Sequence, residues 1–589
     1  MTVSPRDSAP TRTPYDGPMP QRPDPERAAW AAAAVRRFAA ATNLLVAGRT
    51  VRVLGGDPRD AVALVALLTG LGARTAVGPA PADHEPVDDE PIDQLWCLGD
   101  PDESTAAVER ETDRPRGATL VVVDAGRYAP AVDEDAFGPV APARPGVLAV
   151  PTLSDDVFLV STGREPEDDP AAEDRIRWAR RSMPVARAVA AQLRDGGLLR
   201  GTRIGVAMVL EPKTAVLSLL LRDAGAEVVV YAHADETDDA VADVLRRAGM
   251  PVHADSTASL AEQHRLALAM LDTRPHVLLD DGSHLIRLAH QERPELLPTM
   301  LGAAEETTSG LRPLRVMAER GELGIPVIAV NDARAKTCFD NRFGTGQSTV
   351  FATLDLVDPL PSAVHRVRPG GTAVVAGFGP VGEGVAQVLV ALGFRVTVAE
   401  VDPVRALQAR FAGHAVAPFV DAVRDADLVV SASGVADTVD HTVLRACAAG
   451  AVVSVAGGVD DEVALSAAAA AGAVRTAVAQ HVERLTWPDG HQVLVLAGGN
   501  GVNTSAAEGN PVEIMDLSFA VQLGALRMLL ERGDELPRAV VPVDPAVDEA
   551  TARVALAAWG SRVAPPVRIA EQPADREPDV RTHRFGTPR

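Results

Sequence analysis

The chain has 589 residues, too many for one hydrophobic core, so about three domains are expected. Its formal net charge of −23 argues against nucleic acid or an anionic membrane as partner, and Cys97, Cys338 and Cys447 are too few and too scattered for a disulfide framework or a zinc site. No apolar run has the length of a membrane span, and the N-terminus carries Pro and charge in place of a signal-peptide core, so a cytoplasmic location is expected.

Residues 1–26 are Pro-rich and polar, the composition of a disordered arm. An α/β unit follows over 27–172, with helices expected over 29–45 and 60–71 and strands over 50–54 and 119–123. Its Gly48-Arg-Thr-Val-Arg-Val-Leu-Gly-Gly-Asp-Pro parallels the later Gly371-Thr-Ala-Val-Val-Ala-Gly-Phe-Gly-Pro. Asp57 and Asp60 fall where the second and third phosphate-loop glycines belong. Carboxylates there repel a pyrophosphate, which makes this a degenerate Rossmann-like domain with no cofactor. The acidic, Pro-containing stretch 164–174 reads as a linker.

After the linker, strands are expected over 202–209, 227–231 and 277–279, with helices over 214–224 and 237–248. Strands alternating with helices argue a parallel sheet. This substrate-binding domain covers 173–349 and is completed by 512–535, where a last helix runs over 512–532. A dinucleotide unit occupies 350–511, and 536–589 reads as a polar C-terminal extension.

The dinucleotide reading rests on Val374-Val-Ala-Gly-Phe-Gly-Pro-Val-Gly-Glu-Gly384, which follows an apolar run and opens a helical pattern. Gly377 allows the tight turn, Gly379 lets the backbone approach a phosphate, and Gly382 lets helix pack on strand. The helix N-terminus then faces the anion. Glu400 ends the next strand about 20 residues on, where a carboxylate hydrogen-bonds a ribose 2′-OH and favours NAD over NADP. Three more segments place acids, amides or a lysine beside Gly or at a strand end, where sites are built: Leu279-Asp-Asp-Gly-Ser-His-Leu285, Glu305-Glu-Thr-Thr-Ser-Gly310 and Val330-Asn-Asp-Ala-Arg-Ala-Lys-Thr-Cys-Phe-Asp-Asn341. Each alone is as readily a solvated turn or a helix cap.

Together with Met183-Pro184, Lys213-Thr-Ala-Val-Leu217, Pro294-Glu-Leu-Leu-Pro298, Glu400-Val-Asp-Pro403 and Asn503-Thr-Ser-Ala-Ala-Glu-Gly-Asn-Pro-Val-Glu-Ile-Met-Asp516, these segments make the sequence resemble the S-adenosylhomocysteine hydrolase family over about 183–519. The resemblance implies tightly bound NAD that oxidises a nucleoside 3′-OH, acidifies the C4′ hydrogen and is restored at the end of each turnover. It implies that Lys336 assists the oxidation, and a buried lysine there is expected to have its pKa lowered into a useful range. Asp340 matches a ribose-contacting aspartate, Asp281 the candidate base for C4′-H, and Glu306 the glutamate that holds the ribose hydroxyls. Asn331 and Asn341 match polar positions at the cofactor–sugar junction. Thr307, Thr308, Glu400 and Asn503 match cofactor contacts, Asn503 at the carboxamide. No metal is implied, and a homo-oligomer, by family a tetramer, is expected.

The other half of the site departs from the family. Val209, Gly458 and Asn510 stand where it carries histidines; the first two serve acid–base work at the 5′ side, and the third lies near the purine. His284 stands where Asp is more usual and partly compensates, unless it is an exposed turn histidine. Arg405 replaces a polar amide, which weakens the preference for NAD over NADP. The C-terminal Lys-and-Tyr tail of the family has only a faint echo in Arg581-Thr-His-Arg-Phe585. The expected function is therefore 3′ oxidation of a nucleoside with elimination of its 5′ substituent, as a dehydratase or lyase. S-adenosylhomocysteine hydrolysis and a non-catalytic NAD-binding regulator are the alternatives.

Overall fold

The computed structural model describes residues 24–78, 91–111, 119–163, 171–457, 461–561 and 563. The expected N-terminal arm up to residue 23, most of the 164–174 linker, Gly458 and the 581–585 segment lie outside them.

Three sheets organise the chain. The first has the spatial order Arg74–Val77, Thr50–Leu54, Gln94–Cys97, Leu120–Asp124, Val157–Ser161, Val147–Ala149, Ala141–Arg144. Its first five strands are parallel and the last two add an antiparallel hairpin. The Leu120–Asp124 strand is buried at every position, as a strand covered on both faces must be. The Pro25–Thr42 helix starts inside the expected arm, because Asp24 caps it and Pro25 suits its first turn. It stops short of residue 45 because Asn43 turns left-handed at φ +52.

The second sheet is wholly parallel, in the order Val252–His253, Glu227–Tyr231, Arg203–Ala207, Val277–Asp280, Gly302–Glu305, Val327–Ala329, Val540–Pro542. The Val512–Arg532 helix is buried along most of its length against it, with Phe519, Leu523, Leu526 and Leu529 in the core. The region after 535 corrects the sequence reading. It is not a mere extension: Val540–Pro542 joins the sheet as an edge strand, where a proline is tolerated, and the Pro545–Ala558 helix packs on the Val512–Arg532 helix.

The third sheet has the order Ala415–Val416, Arg395–Ala399, Thr372–Ala376, Leu428–Ser431, Val452–Val455, Gln492–Leu496, Val482–Thr486, Val474–Ala479. Apart from the Ala415–Val416 edge strand, this order is that of the first sheet, down to the terminal antiparallel hairpin. The degenerate Rossmann-like reading of the first unit thus has a topological basis. Asp57 caps the Pro58–Gly70 helix through Arg59 N at 2.8 Å, and Asp57 and Asp60 both pair with Arg27, so two carboxylates and an arginine fill the place of a phosphate loop. The second and third sheets present the C-terminal ends of their strands to a common cavity, the usual place for a ligand in such folds.

Candidate active site

The phosphate loop follows the Thr372–Ala376 strand. Gly377 has φ +93, and a Cβ there would lie 2.9 Å from Ala432 O. A Cβ on Gly382 would lie 2.0 Å from Gly377 O, so the turn closes only with glycine at both. Gly379 has nothing nearer its missing Cβ than Arg405 Nη1 at 3.3 Å, which leaves its backbone open to an incoming anion. Gly379 also caps the Pro380–Ala391 helix, whose N-terminus lines the cavity. Glu400 accepts hydrogen bonds from Phe378 N at 2.6 Å, Val401 N at 2.7 Å and Asp402 N at 3.0 Å, which fixes its carboxylate beside the loop.

The opposite wall comes from the second sheet. Asp281 follows the Val277–Asp280 strand, Glu306 and Thr307 follow Gly302–Glu305, and Lys336, Asp340 and Asn341 come from the short helical turns after Val327–Ala329. All of them, with Thr308, Asn331 and Asn503, line the same cavity of about 540 Å³ as Gly377, Gly379 and Glu400. Gly382 sits one step behind the loop, buried. Every predicted site residue except Gly382 therefore lines one space.

Lys336 is 4% exposed; its Nζ donates to Asn341 Oδ1 at 2.9 Å and lies 3.5 Å from Asp340 Oδ1. Asn341 Nδ2 donates in turn to Asn331 Oδ1 at 3.1 Å, and Thr308 Oγ1 donates to the same oxygen at 3.1 Å. The expected lowering of the Lys336 pKa is wrong in direction. Burial does pull it down, but the carboxylates of Asp340, Glu306 and Asp281 outweigh that and raise it, so the resting side chain is an ammonium. Burial raises Asp281 and Glu306 above the usual carboxylate range, against the pull of Lys336. Glu306 Oε2 is buried with no hydrogen-bond partner among the described residues, an acceptor left for a ligand.

Three residues to which the sequence assigns no part in holding the catalytic side chains build this wall. Glu305 is fully buried; its carboxylate accepts from Gly282 N at 3.0 Å, Ser283 N at 2.8 Å and Thr307 Oγ1 at 2.6 Å. It thereby holds the turn after Asp281, in which Ser283 is strained at φ +57. Burial first, and then Asp280 and Asp281, push its pKa well up. Asn510 Nδ2 donates to Asp340 Oδ1 at 3.0 Å, and Ser518 Oγ donates to Asp340 Oδ2 at 2.6 Å. An acid doublet at Glu305-Glu306 hints at paired roles, but nothing in sequence spacing joins Asn510 and Ser518 to Asp340.

Residues 350–509 match the family described as S-adenosyl-L-homocysteine hydrolase, NAD binding domain. The adenosylhomocysteinase of Thermotoga maritima is 38% identical over 392 residues, which cover 66% of this chain and 95% of that protein. The chain belongs to the adenosylhomocysteinase family. The Thermoplasma acidophilum adenosylhomocysteinase is 36% identical over 66% of this chain and 94% of its own length. The S-inosyl-L-homocysteine hydrolase of Methanothermobacter thermautotrophicus is 37% identical over 67% of this chain and 93% of its own length. As an adenosylhomocysteinase family member the protein uses NAD, and its glycine cradle, the fixed Glu400 and the amide-rich junction at Asn331, Asn341 and Asn503 fit that cofactor. Val209 and Asn510, expected from the sequence to stand where the family carries histidines, both line the same cavity. No helix among the described residues is long and apolar enough to cross a membrane.

Proposed function

We propose that the protein oxidises the 3′-OH of a nucleoside transiently and eliminates its 5′ substituent, releasing an unsaturated nucleoside. The observation that carries this is the buried Lys336 ammonium among Asp281, Glu306 and Asp340, facing the phosphate loop across one cavity. Bound NAD supplies the acceptor, and later the donor, of the 3′ hydrogen. Glu306, with its unpartnered buried oxygen, takes the ribose hydroxyl hydrogen bonds and, as the carboxylate, accepts the 3′-OH proton as the C3′ hydrogen leaves, returning it when the 3′-OH is restored. The Lys336 ammonium places positive charge at the 3′ oxygen and polarises the ketone, which acidifies C4′-H. Asp281, raised by burial, is a base matched to that proton. The C4′–H electron pair becomes the C4′=C5′ bond as the C5′ substituent departs.

Val209 cannot transfer a proton to that leaving group. His284 is the single histidine lining the cavity among the described residues, and its imidazole crosses Gly282 beside Asp281, edge-on to His233 at 4.6 Å between ring centroids. We assign His284 the protonation of the leaving atom. Loss of two of the family's acid–base histidines favours release of the 4′,5′-unsaturated nucleoside, its 3′-OH restored, without addition of water. The relatives' names favour the second reading, hydrolysis of S-adenosylhomocysteine or of a nucleoside with another base.

The test is incubation of the protein and NAD with S-adenosylhomocysteine and S-inosylhomocysteine, with products weighed by mass spectrometry. A nucleoside product lighter than the free nucleoside by one water supports elimination alone. Adenosine or inosine with homocysteine supports hydrolysis. Binding of both without any reduction of NAD refutes catalysis on these substrates and leaves the regulator reading.

A further inference from the structure

The first unit is a second copy of the cofactor-binding topology, and it is docked as a second copy would be. The Pro58–Gly70 and Pro380–Ala391 helices hold equivalent places in the two sheets and pack on each other. Gly70 and Ala391 are their last residues, each four before the next strand, and a Cβ on Gly70 would lie 3.1 Å from that of Ala391. Contact between equivalent positions is what a two-fold interface produces. The preceding helices also meet: Arg36 of Pro25–Thr42 pairs with Asp355, at 2.7 Å, and with Asp358, at the end of Thr345–Val357. In the first unit Asp57, Asp60 and Arg27 meanwhile occupy the place of the phosphate loop.

From that dock the first unit reaches the cavity. Asn43 Oδ1 accepts from Lys213 Nζ at 3.1 Å, and Asn43 O accepts from Val512 N at 2.9 Å. Lys213 is 1% exposed and gives its remaining donors to Glu211 Oε2 and Glu508 O, both at 2.7 Å, so all three of its protons are committed. Arg144 forks onto Glu508 at 2.8 and 3.4 Å and also donates to Thr42 O at 3.2 Å. Leu45 N and Arg49 both hold the Glu513 carboxylate, at 3.0 and 3.3 Å. The segment 508–513 is thus clamped at both ends by the first unit. Between the clamps, Asn510 donates to Asp340 and accepts from Ser348 Oγ at 2.8 Å. Glu211, Lys213, Glu508 and Asn510 line the cavity wall.

We propose that the N-terminal unit is a built-in partner subunit that fixes the 508–513 wall of the cavity through Asn43 and Arg144, making Arg144 a positioning residue for substrate binding. That the ligand is a nucleoside rests on the function proposed above; the clamp itself does not. Neither residue touches the cofactor loop, so the effect falls on substrate affinity and on the mobility of one segment.

The full chain carrying Arg144→Ala or Asn43→Ala tests this by amide hydrogen exchange with NAD present, and by steady-state kinetics. Exchange over 508–513 is expected to accelerate by about tenfold or more, while exchange over 377–384 stays at the wild-type rate. KM is expected to rise about tenfold or more with kcat held within about threefold, and Arg144→Lys is expected to recover part of the loss. Should Arg144→Ala fail to fold, Arg144→Gln removes the ion pair and keeps a donor for Thr42 O. Unchanged exchange over 508–513 in both variants overturns the proposal, as does a fall in kcat with KM unmoved. The exchange result needs no turnover. A wild-type protein that turns over no nucleoside sinks the functional reading and leaves this one still decided.

Discussion

Replacing Lys336 by methionine removes the charge and keeps most of the volume. Two consequences follow from its surroundings. In catalysis, the 3′ oxygen loses the Lys336 ammonium, and nucleoside-dependent reduction of NAD is expected to fall by about 10²–10⁴-fold, the range of one positioned acid–base or electrostatic group. NAD itself binds as before, because the Gly377 turn, Gly379 and Glu400 are untouched. In stability, Asp340, Glu306 and Asp281 lose their shared partner; breaking a buried pair from one side costs about 3–5 kcal/mol. That cost depends on pH. The carboxyls of Glu306 and Asp281 already sit above their ordinary range, so at low pH they take protons and the missing cation matters little. The deficit in Tm relative to wild type therefore widens as pH rises through that raised range. The assay is cofactor reduction by stopped-flow absorbance, beside NAD titration and thermal melts from acid to mildly alkaline pH. Reduction within about fivefold of wild type, or a Tm deficit independent of pH, refutes the assigned role of the ammonium.

Other consequences are as direct. Glu306 is raised in the folded protein to about 8, so between its unfolded pKa and that value the folded state holds the extra proton and stability falls as pH rises. Glu306→Gln is expected to raise Tm at alkaline pH, by about 1–3 kcal/mol in stability, while abolishing turnover; a lower Tm there contradicts the shift. Gly382→Ala puts a methyl 2.0 Å from Gly377 O and is expected to abolish NAD binding in a direct titration; retained affinity contradicts the turn geometry. His284→Asn is expected to slow release of a thiolate by about 10²-fold and to spare release of a halide, which needs no proton. Equal slowing for both leaving groups removes His284 from acid catalysis.

The parts of this fold that follow local rules were legible in the sequence. The 512–532 helix, the 50–54 and 227–231 strands and the Gly377 turn fall where period, β-branching and glycine spacing put them. Val540–Pro542 was not legible, since a three-residue edge strand containing proline carries almost no pattern and owes its place to the neighbouring Val327–Ala329 strand. The two-fold-like dock was invisible for a different reason. It depends on Gly70 meeting Ala391 across more than three hundred residues of chain, and small residues at helix ends announce nothing. At the site, residue types were legible but their electrostatics were not. Burial alone predicts a lowered lysine pKa, and only the placement of three carboxylates around Lys336 reverses the sign. Asn510 read as a lost histidine; in the fold it is a hydrogen-bond donor to Asp340.

The most direct test of the whole account is exchange at C4′. The protein with bound NAD is incubated in deuterated water with adenosine, which has no 5′ substituent better than hydroxyl, and the recovered nucleoside is weighed. The account predicts one deuterium at C4′, appearing only with NAD present, lost in Lys336→Met and in Asp281→Asn. Adenosine that binds and is recovered without deuterium contradicts it.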